Sequence, residues 1–308
     1  MKGFIFAAGF GERLRPITES VPKALLPVLN IPSICYSVML LKEAGIKDII
    51  CNLHYMHNEI IQFFKDNDYF DLNIKFSVED RILGTGGGLK KCEKELSDDY
   101  FVVLNSDVII DIDLRDVIDF NKKSGMPATI ILHKTDKAND IGPVGVKAGE
   151  IVDFKNFLNT GVMSDYIYTG AAVLSPLIFK YLGAEFSSIV YTGYIDIIKN
   201  HSLKFVEHTA FWEDIGSIES YWNVSMRMMK NIRLFTKRML KSLDQNIELT
   251  AESAKVDRGA KVKNSVIGKQ CVIGGGAIIE NSVVLSHSII NNAAIKNSIV
   301  DRDRIYKI

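Results

Sequence analysis

Apolar runs of strand length alternate with helix-length segments of mixed polarity over the first third of the chain. Alternation of this kind predicts an α/β domain built on a parallel-based, doubly wound sheet. Ligands of such sheets bind beyond the carboxyl ends of the strands, so polar residues at those ends are the first candidates for function. The predicted strands are Gly3–Ala8, Ile46–Leu53, Leu72–Val78 and Phe101–Leu104, and the predicted helices are Ser33–Ala44, Asn58–Asn67 and Leu89–Glu95.

The pattern is less regular in the middle of the chain, but it still predicts several elements. Gly145–Phe154 has the alternation of a hairpin that turns near Gly149, and Tyr166–Leu174 has strand character. Ser217–Met229 has the spacing of a helix, and the basic stretch Asn231–Lys241 that follows it is also helical in character. These elements extend the first domain to about residue 230.

Beyond Ile247 the residue pattern changes: aliphatic residues recur about every six positions, with small or polar residues between them. Such a period predicts a left-handed parallel β-helix of about three coils, and ordinary alternating strands are the alternative. We therefore predict an α/β domain at residues 1–230, a helical linker at 231–246 and a short β-helix at 247–308. The periodic positions, with one-residue slips, are Val256, Val262, Ile267, Ile273, Ile279, Leu285, Ile290, Ile295 and Val300.

Composition narrows the class of protein. The 308 residues carry 37 basic and 37 acidic side chains and are 47% hydrophobic, enough for one large or two smaller domains with a core. Zero net charge gives no reason to expect a nucleic-acid or membrane partner, and no apolar stretch approaches the roughly 20 residues that cross a bilayer. The cysteines lack CxxC spacing, so we expect free thiols in a soluble, cytoplasmic protein.

The loop after the first predicted strand combines glycines, cations and prolines. Gly9 and Gly11 allow a sharp turn that brings backbone N–H groups against an anion. Arg13, Arg15 and Lys23 follow, and prolines between them prevent a continuous helix. This combination predicts a polyphosphate-binding loop, while the alternative is a glycine turn whose arginines merely coat the surface.

Two common phosphate motifs do not fit this loop. Leu14 stands where a dinucleotide fingerprint has its third glycine, Pro16 interrupts the start of a helix, and the Gly-Lys-Ser/Thr of a Walker loop is absent. The loop instead resembles that of the sugar-1-phosphate nucleotidyltransferases, also called NDP-sugar pyrophosphorylases. The residues that carry the resemblance are Gly9, Gly11, Arg13, Leu14, Arg15, Pro16, Thr18, Pro22, Lys23, Leu25, Pro27 and Val28.

The resemblance implies a Rossmann-like catalytic domain with a mixed sheet, of the nucleotide-diphospho-sugar transferase type. It implies that Arg13 contacts the β and γ phosphates of an NTP and that Lys23 supplies charge at the α-phosphate and the incoming sugar phosphate. A glycine-rich segment, Glu79–Leu89, contains the family's Leu-Gly-Thr element for the base and ribose, and a mobile loop is the alternative there. The implied nucleotide-binding residues are Ala8, Gly9, Gly11, Arg13, Leu83, Gly84 and Thr85.

Two aspartates are candidates for a magnesium site. Asp107 follows the strand Phe101–Leu104, and Asp214 lies in a Trp-x-Asp-x-Gly motif. Mg²⁺ is commonly held by one or two carboxylates together with substrate phosphates. Read alone, an aspartate at either place is more typical of a turn or cap position, and the resemblance is what favours metal binding. Glu213 is the alternative to Asp214, but strand alternation points it to the opposite face.

The sugar side departs from the family pattern. Phe154 is followed by Lys155-Asn156, so the Glu-Lys-Pro of many relatives is missing, and of their Asn-Ala-Gly only Gly170 is kept. The resemblance implies sugar contacts from Asn105, Thr169 and Gly170. The missing Glu-Lys-Pro and the triple glycine are similar to the muramate-1-phosphate uridylyltransferase branch, whereas the segment 104–109 and the tail are similar to mannose-1-phosphate guanylyltransferases.

The leading hypothesis is an Mg²⁺-dependent enzyme that makes an NDP-sugar and pyrophosphate, with GTP and mannose 1-phosphate as the first choice of substrates. A uridylyl- or thymidylyltransferase acting on another sugar 1-phosphate is the alternative. A regulatory homologue that binds nucleotide sugar without turnover and a β-helix acyltransferase are further alternatives from other classes. Because a tail this short is marginal alone, we expect it to pack on the catalytic domain or on another subunit, with a homo-oligomer as the result.

Overall fold

The computed structural model describes all residues from Met1 to Ile308. Contacts divide the chain into two compact units. The first unit comprises Met1–Phe10 and Leu40–Trp212, and the second comprises Gly11–Met39 and Glu213–Ile308.

The elements are numbered in chain order. The helices are α1 Ile34–Glu43, α2 His57–Asp66, α3 Gly84–Lys91, α4 Glu93–Leu96, α5 Leu114–Ser124, α6 Ala138–Ile141, α7 Ile195–Asn200, α8 Ile218–Lys230 and α9 Ile232–Leu243. The strands before the tail are β1 Lys2–Phe6, β2 Pro27–Val28, β3 Ile31–Pro32, β4 Asp48–Leu53, β5 Asn73–Val78, β6 Phe101–Asn105, β7 Val108–Ile110, β8 Ala128–Lys134, β9 Pro143–Lys147, β10 Glu150–Phe154, β11 Tyr166–Leu174, β12 Lys204–His208 and β13 Trp212–Asp214. The strands of the tail are β14 Lys255–Val256, β15 Lys261–Lys263, β16 Val266–Ile267, β17 Val272–Ile273, β18 Ile278–Glu280, β19 Val283–Val284, β20 Ile289–Ile290, β21 Ala294–Lys296, β22 Ser298–Asp301 and β23 Arg304–Lys307.

A nine-stranded mixed sheet forms the first unit. Its order is β10-β9-β11-β6-β1-β4-β5, with β8 beside β11 and β12 beside β8. The neighbours among β6, β1, β4 and β5 are parallel, whereas β11 runs antiparallel to both β6 and β8. The predicted Rossmann-like mixed sheet is therefore confirmed, and so is the predicted hairpin, which β9 and β10 form.

The predicted helix Leu89–Glu95 differs from the observed structure. Helix begins earlier, at Gly84, and is divided at Cys92 into α3 and α4. The glycine-rich segment is thus mostly helical and its glycines are largely buried, rather than forming a mobile loop. Tertiary packing overrides the low helix propensity of glycine at this place.

The core of the first unit lies against the central strands. Phe4, Val103, Ile130 and Ala172 come from four strands of the sheet and have no exposed surface. Burial of a large apolar side chain stabilises a fold by about 1.5–3 kcal/mol, so this layer fixes the sheet and with it the strand ends.

The tail in the second unit is a parallel β-helix, as predicted. Its three sheets, β14-β17-β20, β15-β18-β21 and β16-β19-β22, each contain one parallel strand from every coil. Ile267 pairs with Val284 and Val284 with Val300, so successive coils are 17 and 16 residues apart rather than three exact hexads. This spacing explains the slips in the period, and it makes Val284 rather than Leu285 a member of the interior cluster.

Two contacts join the tail to other parts of the second unit. The indole Nε1 of Trp222 in α8 donates a hydrogen bond of 2.8 Å to the carbonyl oxygen of Asn281. Asn30 Nδ2, in the turn between β2 and β3, donates to the carbonyl oxygens of Glu248 at 2.9 Å and Ile267 at 3.0 Å. The tail therefore packs on residues before 230, as expected. No helix of the chain combines the length and apolarity that crossing a bilayer would need.

Candidate active site

The predicted phosphate loop consists of short 3-10 turns at Glu12–Leu14, Ile17–Glu19 and Lys23–Leu25. Gly11 has φ +68, and a Cβ atom there would lie 2.9 Å from Thr18 Cγ2 and 3.2 Å from Lys23 Cβ. Thr18 is buried and its hydroxyl donates to the Gly11 carbonyl oxygen at 2.9 Å. Only glycine combines this left-handed backbone with this close approach, so Gly11 brings Thr18 and Lys23 together in one closed loop.

Gly216 brings two of the predicted site residues close together within the second unit. A Cβ atom at Gly216 would lie 2.7 Å from Asp214 Oδ2 and 3.1 Å from Arg13 Nη2. A carboxylate and a guanidinium, both predicted to act on the phosphates or their metal, therefore flank the same small residue. The arginine side chain is exposed and the aspartate is half-buried.

The neighbours of Asp214 have structural roles of their own. Ser217, not Asp214, caps α8, because its hydroxyl oxygen accepts a hydrogen bond from the Ser220 N–H at 3.1 Å. Glu213 forms an ion pair with Arg227 of α8. The capping alternative for Asp214 is therefore not supported, and the neighbouring glutamate already has a cationic partner.

Asp107 lies in the first unit, in the turn between β6 and β7, and is half-buried. The preceding Ser106 N–H donates to the carbonyl oxygen of Phe6 at 3.1 Å, which fixes this turn at the carboxyl ends of β6 and β1. Asn105, at the end of β6, lies against Gly170, where a Cβ atom would be 2.7 Å from its Nδ2. Two of the three predicted sugar contacts are therefore adjacent.

Thr169, the third predicted sugar contact, is oriented differently. Its side chain is fully buried and its hydroxyl donates to the carbonyl oxygen of Ile131 at 2.8 Å. Its own carbonyl oxygen accepts from Trp212 Nε1 at 3.1 Å. The hydroxyl has its acceptor within the sheet, so we leave this side chain out of the sugar contacts proposed below.

The glycine-rich segment contacts the chain itself. The Gly86 N–H donates to the Ser187 carbonyl oxygen at 2.8 Å, and the Ile189 N–H donates to Thr85 Oγ1 at 2.9 Å. A Cβ atom at Gly84 would lie 2.4 Å from that same Ser187 oxygen. The glycines therefore do permit a close backbone approach, and residues 185–189 of the chain make it. The nucleotide contacts of Leu83, Gly84 and Thr85 stay a prediction.

Two buried polar residues at this edge were not singled out by the sequence analysis. Asn52 ends the apolar run of β4 and Glu79 follows β5 directly, and each is only 2% exposed. Their signal in the sequence is a polar residue at or directly after the carboxyl end of a strand, where ligands of such sheets bind. Asn52 Nδ2 donates a hydrogen bond to Glu79 Oε1 at 2.7 Å, so the two side chains are joined.

The residues expected to hold Mg²⁺ supply suitable donors. Asp107 and Asp214 are carboxylates with partial access to solvent, which suits a hard cation that keeps waters and substrate phosphates among its ligands. The chain has no group of three or more His, Cys, Asp or Glu side chains arranged for a metal. The chemistry of each carboxylate fits a metal that substrate phosphates help to bind.

The cysteines do not supply a nucleophile. All four are free and buried, as expected from their spacing. Burial raises the pKa of the Cys35 and Cys51 thiols well above the ordinary value, so neither is a thiolate at neutral pH.

Two family models match this chain. The model of the nucleotidyl transferase family matches residues 2–231, and the model of the GlmU-like C-terminal hexapeptide family matches residues 245–306. The chain belongs to the nucleotidyl transferase family.

Individual relatives and a solved structure are also similar to this chain. The mannose-1-phosphate guanyltransferase of Aspergillus oryzae is 31% identical over 269 residues, which cover 85% of this chain and 73% of the relative. The mannose-1-phosphate guanyltransferase of Pichia angusta is 32% identical over 270 residues, with coverage of 84% and 74%. A Bacillus anthracis structure, described as a candidate glucose-1-phosphate thymidylyltransferase in complex with a sucrose, has a TM-score of 0.65 at 27% identity and covers 73% of this chain and 94% of its own.

Proposed function

We propose that the protein transfers a guanylyl group from GTP to mannose 1-phosphate, giving GDP-mannose and pyrophosphate. The observation that carries this proposal is the likeness of about 31% over 85% of the chain to mannose-1-phosphate guanyltransferases. The chain also keeps Arg13, Lys23, Asp107 and Asp214, the charged residues that this chemistry needs.

In the proposed reaction an oxygen of the sugar phosphate attacks the α-phosphorus of the NTP in line. The new P–O bond joins the two phosphates, and the bond between the α-phosphorus and the bridging oxygen breaks as pyrophosphate leaves. Little covalent work falls to the protein, so positioning and stabilisation of charge account for most of the rate.

The residues of the loop take charge-stabilising roles in this proposal. Arg13 contacts the β and γ phosphates, and Lys23 neutralises charge at the α-phosphate and the incoming sugar phosphate. Asp107 and Asp214 hold Mg²⁺, which supplies Lewis-acid stabilisation of the phosphate oxygens when bound. Backbone N–H groups from Ala8 to Gly11 add donors to the phosphates.

The sugar side of the proposed site departs from the pattern of many relatives. Lys155-Asn156 replaces the Glu-Lys of many relatives, so we propose sugar contacts from Asn105 and Gly170 instead. Likeness to the Bacillus anthracis protein keeps a thymidylyl- or uridylyltransferase as the second candidate. A non-catalytic regulatory subunit is disfavoured because such a protein would typically lose one of the charged residues.

The test is a panel in which pyrophosphate release is measured with each NTP against a series of sugar 1-phosphates and Mg²⁺. We expect release to be fastest with GTP and mannose 1-phosphate. Faster release with UTP or dTTP would replace the substrate assignment and keep the reaction. Absence of release with every pair would refute the reaction and favour the regulatory alternative. The Arg13→Ala protein is the control, because its folded state should persist while its use of NTP fails.

We propose that the protein is a cytoplasmic homo-oligomer that associates through its tail. Val272 is 39% exposed and its ladder partner Ile289 is 64% exposed, so one face of the β-helix presents aliphatic side chains to solvent. Exposed apolar patches on repeat domains favour association. Sedimentation as a monomer at micromolar concentration would contradict this proposal.

A further inference from the structure

One stretch of the second unit carries basic side chains and no acidic ones. The 37 basic and 37 acidic residues of the whole chain cancel, yet the 24 residues from Ser220 to Leu243 contain six basic residues and no Asp or Glu. This stretch comprises most of α8 and all of α9. The zero net charge therefore conceals a local excess of positive charge in these two helices. The basic residues are Arg227, Lys230, Arg233, Lys237, Arg238 and Lys241.

Three of these cations form a row along the exposed face of α9. Arg233, Lys237 and Lys241 are four positions apart, so their side chains lie one above another on the helix. All three are exposed, and none of them forms an ion pair within the chain. The opposite face is apolar and is buried through Phe235 and Met239. Helix α9 is therefore fixed to the protein by one face and presents a basic row with the other.

The basic row is unfavourable for the helix that carries it. Like charges four positions apart repel one another and destabilise a helix, and α9 contains two such pairs. The helix dipole favours Lys241 in the last turn but disfavours Arg233 in the first turn, which contains no acidic residue. The dipole thus explains one of the three cations only. A row that destabilises its own helix points to a partner outside the chain.

Two leucines flank the basic row and indicate the chemistry of this partner. Leu234 and Leu240 are each 44% exposed, and the helical repeat places them about 60° to either side of Lys237. Exposed leucines beside lysine and arginine are typical of helices that bind the surface of an anionic bilayer. A nucleic acid offers these leucines no apolar contact, and a single exposed helix face is convex and forms no groove for a peptide. A bilayer offers both a field of negative charges and apolar chains beneath it.

We propose that the exposed face of α9 binds the surface of an anionic phospholipid bilayer. Arg233, Lys237 and Lys241 contact the charged headgroups, and Leu234 and Leu240 enter the boundary between headgroups and acyl chains. Each Lys or Arg near such a surface strengthens binding about fivefold, so the row of three contributes about 100-fold. Attachment of this kind is reversible and weakens with salt. The proposal is independent of the reaction proposed above.

Flotation with lipid vesicles tests this proposal on the full chain. The vesicles consist of phosphatidylcholine alone or of phosphatidylcholine mixed with phosphatidylserine. Two variants remove the charges and the apolar side chains of α9 separately, and glutamine is used in both because it is a good helix former. The matched control removes one arginine and two lysines from exposed positions of the tail. The variants are Arg233→Gln/Lys237→Gln/Lys241→Gln, Leu234→Gln/Leu240→Gln and, as the control, Lys255→Gln/Arg258→Gln/Lys261→Gln.

The wild type and the control should float with phosphatidylserine vesicles and not with phosphatidylcholine alone, and added salt should release both. We expect the partition coefficient of the α9 charge variant to be lower by about 100-fold, and that of the leucine variant by roughly tenfold or more. The circular dichroism of each variant should match that of the wild type, because every replaced side chain is exposed.

A wild type that floats equally with both kinds of vesicle, or with neither, would overturn the proposal. So would an α9 charge variant that binds as the wild type does, or a control that loses as much as this variant, since binding would then follow net charge alone. Unchanged flotation of the leucine variant would overturn the choice of a bilayer and favour a soluble anionic partner. Flotation needs no turnover, so failure of the proposed reaction would leave this test intact.

Discussion

Replacement of Gly9 by alanine tests the phosphate loop without disturbing the fold. Nothing lies within 4 Å of the position that a Cβ atom would take at Gly9, its φ is not in the left-handed region, and the residue is exposed. A glycine-to-alanine change at such a position costs the folded state nothing and stabilises it by about 0.4–1 kcal/mol through the unfolded chain. Any loss of activity must then come from contact between the added methyl group and the bound ligand.

The expected loss can be estimated from the geometry of the proposed contact. If the backbone at Gly9 lies against the triphosphate, a methyl group displaces the ligand by about 1 Å, and such a displacement costs about 100-fold in rate. We expect kcat/KM for the NTP to fall between tenfold and 100-fold, or about 1.4–2.7 kcal/mol, with no fall in melting temperature.

The matched control is Gly183→Ala, because Gly183 also has open space around its Cβ position and an ordinary φ. It should leave the kinetics unchanged and, like Gly9→Ala, raise stability by about 0.4–1 kcal/mol. Unchanged kcat/KM in Gly9→Ala, with the control also silent, would mean that the chain does not bind its substrate at this turn, and the loop assignment would be wrong.

Four further results follow from the structure. Asp107→Asn and Asp214→Asn should each reduce turnover by two orders of magnitude or more, because the metal's stabilisation of phosphate charge is worth several kcal/mol. The circular dichroism spectrum should stay unchanged. Near-normal turnover in either variant would mean that the replaced residue does not bind the metal. Lys23→Ala should lower kcat in steady-state kinetics more than it raises KM, since its charge matters most as phosphate charge redistributes; an equal kcat would make it a surface residue. Burial holds the pKa of His208 below its ordinary value. As pH falls through about 6.5, the unfolded state therefore binds a proton at this histidine that the folded state does not. The free energy of unfolding, measured in urea, should be lower at pH 5.5 than at pH 7.5, and this difference should be smaller in His208→Gln. Truncation after Asn246 should lower the melting temperature before it alters the chemistry, because it removes the acceptors of the Asn30 amide while every predicted catalytic residue is retained; a truncated protein of full stability would contradict the packing described for the tail.

The sequence predicted those parts of the molecule whose signal is local. Strands such as β1 and β6 are short apolar runs, and the β-helix has a regular aliphatic period. The sequence therefore predicted these strands and the β-helix with nearly the observed bounds. The coil length of 16 or 17 residues was missed, because only the strand pairing reveals it. The Asp214 motif was recognised by its residues, and Gly216 then brings Arg13 beside it.

Long-range partners account for what the sequence could not predict. The glycines before α3 suggested a ligand, but their close neighbour is residues 185–189, a hundred positions away in the chain. Thr169 was expected to face a sugar, whereas a break in the β11–β8 pairing leaves its side chain buried against Ile131. Asn52 and Glu79 were given no role of their own, because only the order of the strands makes them neighbours.

The most direct test of the central claim is the stoichiometry of the reaction with purified protein, GTP, mannose 1-phosphate and Mg²⁺. Mass spectrometry of the nucleotide products and an enzymatic assay for pyrophosphate would follow the same samples over time. We expect GDP-mannose and pyrophosphate to appear in equal amounts, both to depend on the sugar phosphate, and both to form about 100-fold more slowly, or slower still, in Asp107→Asn. Pyrophosphate without a sugar nucleotide, or release of inorganic phosphate in its place, would contradict nucleotidyl transfer as the function of this protein.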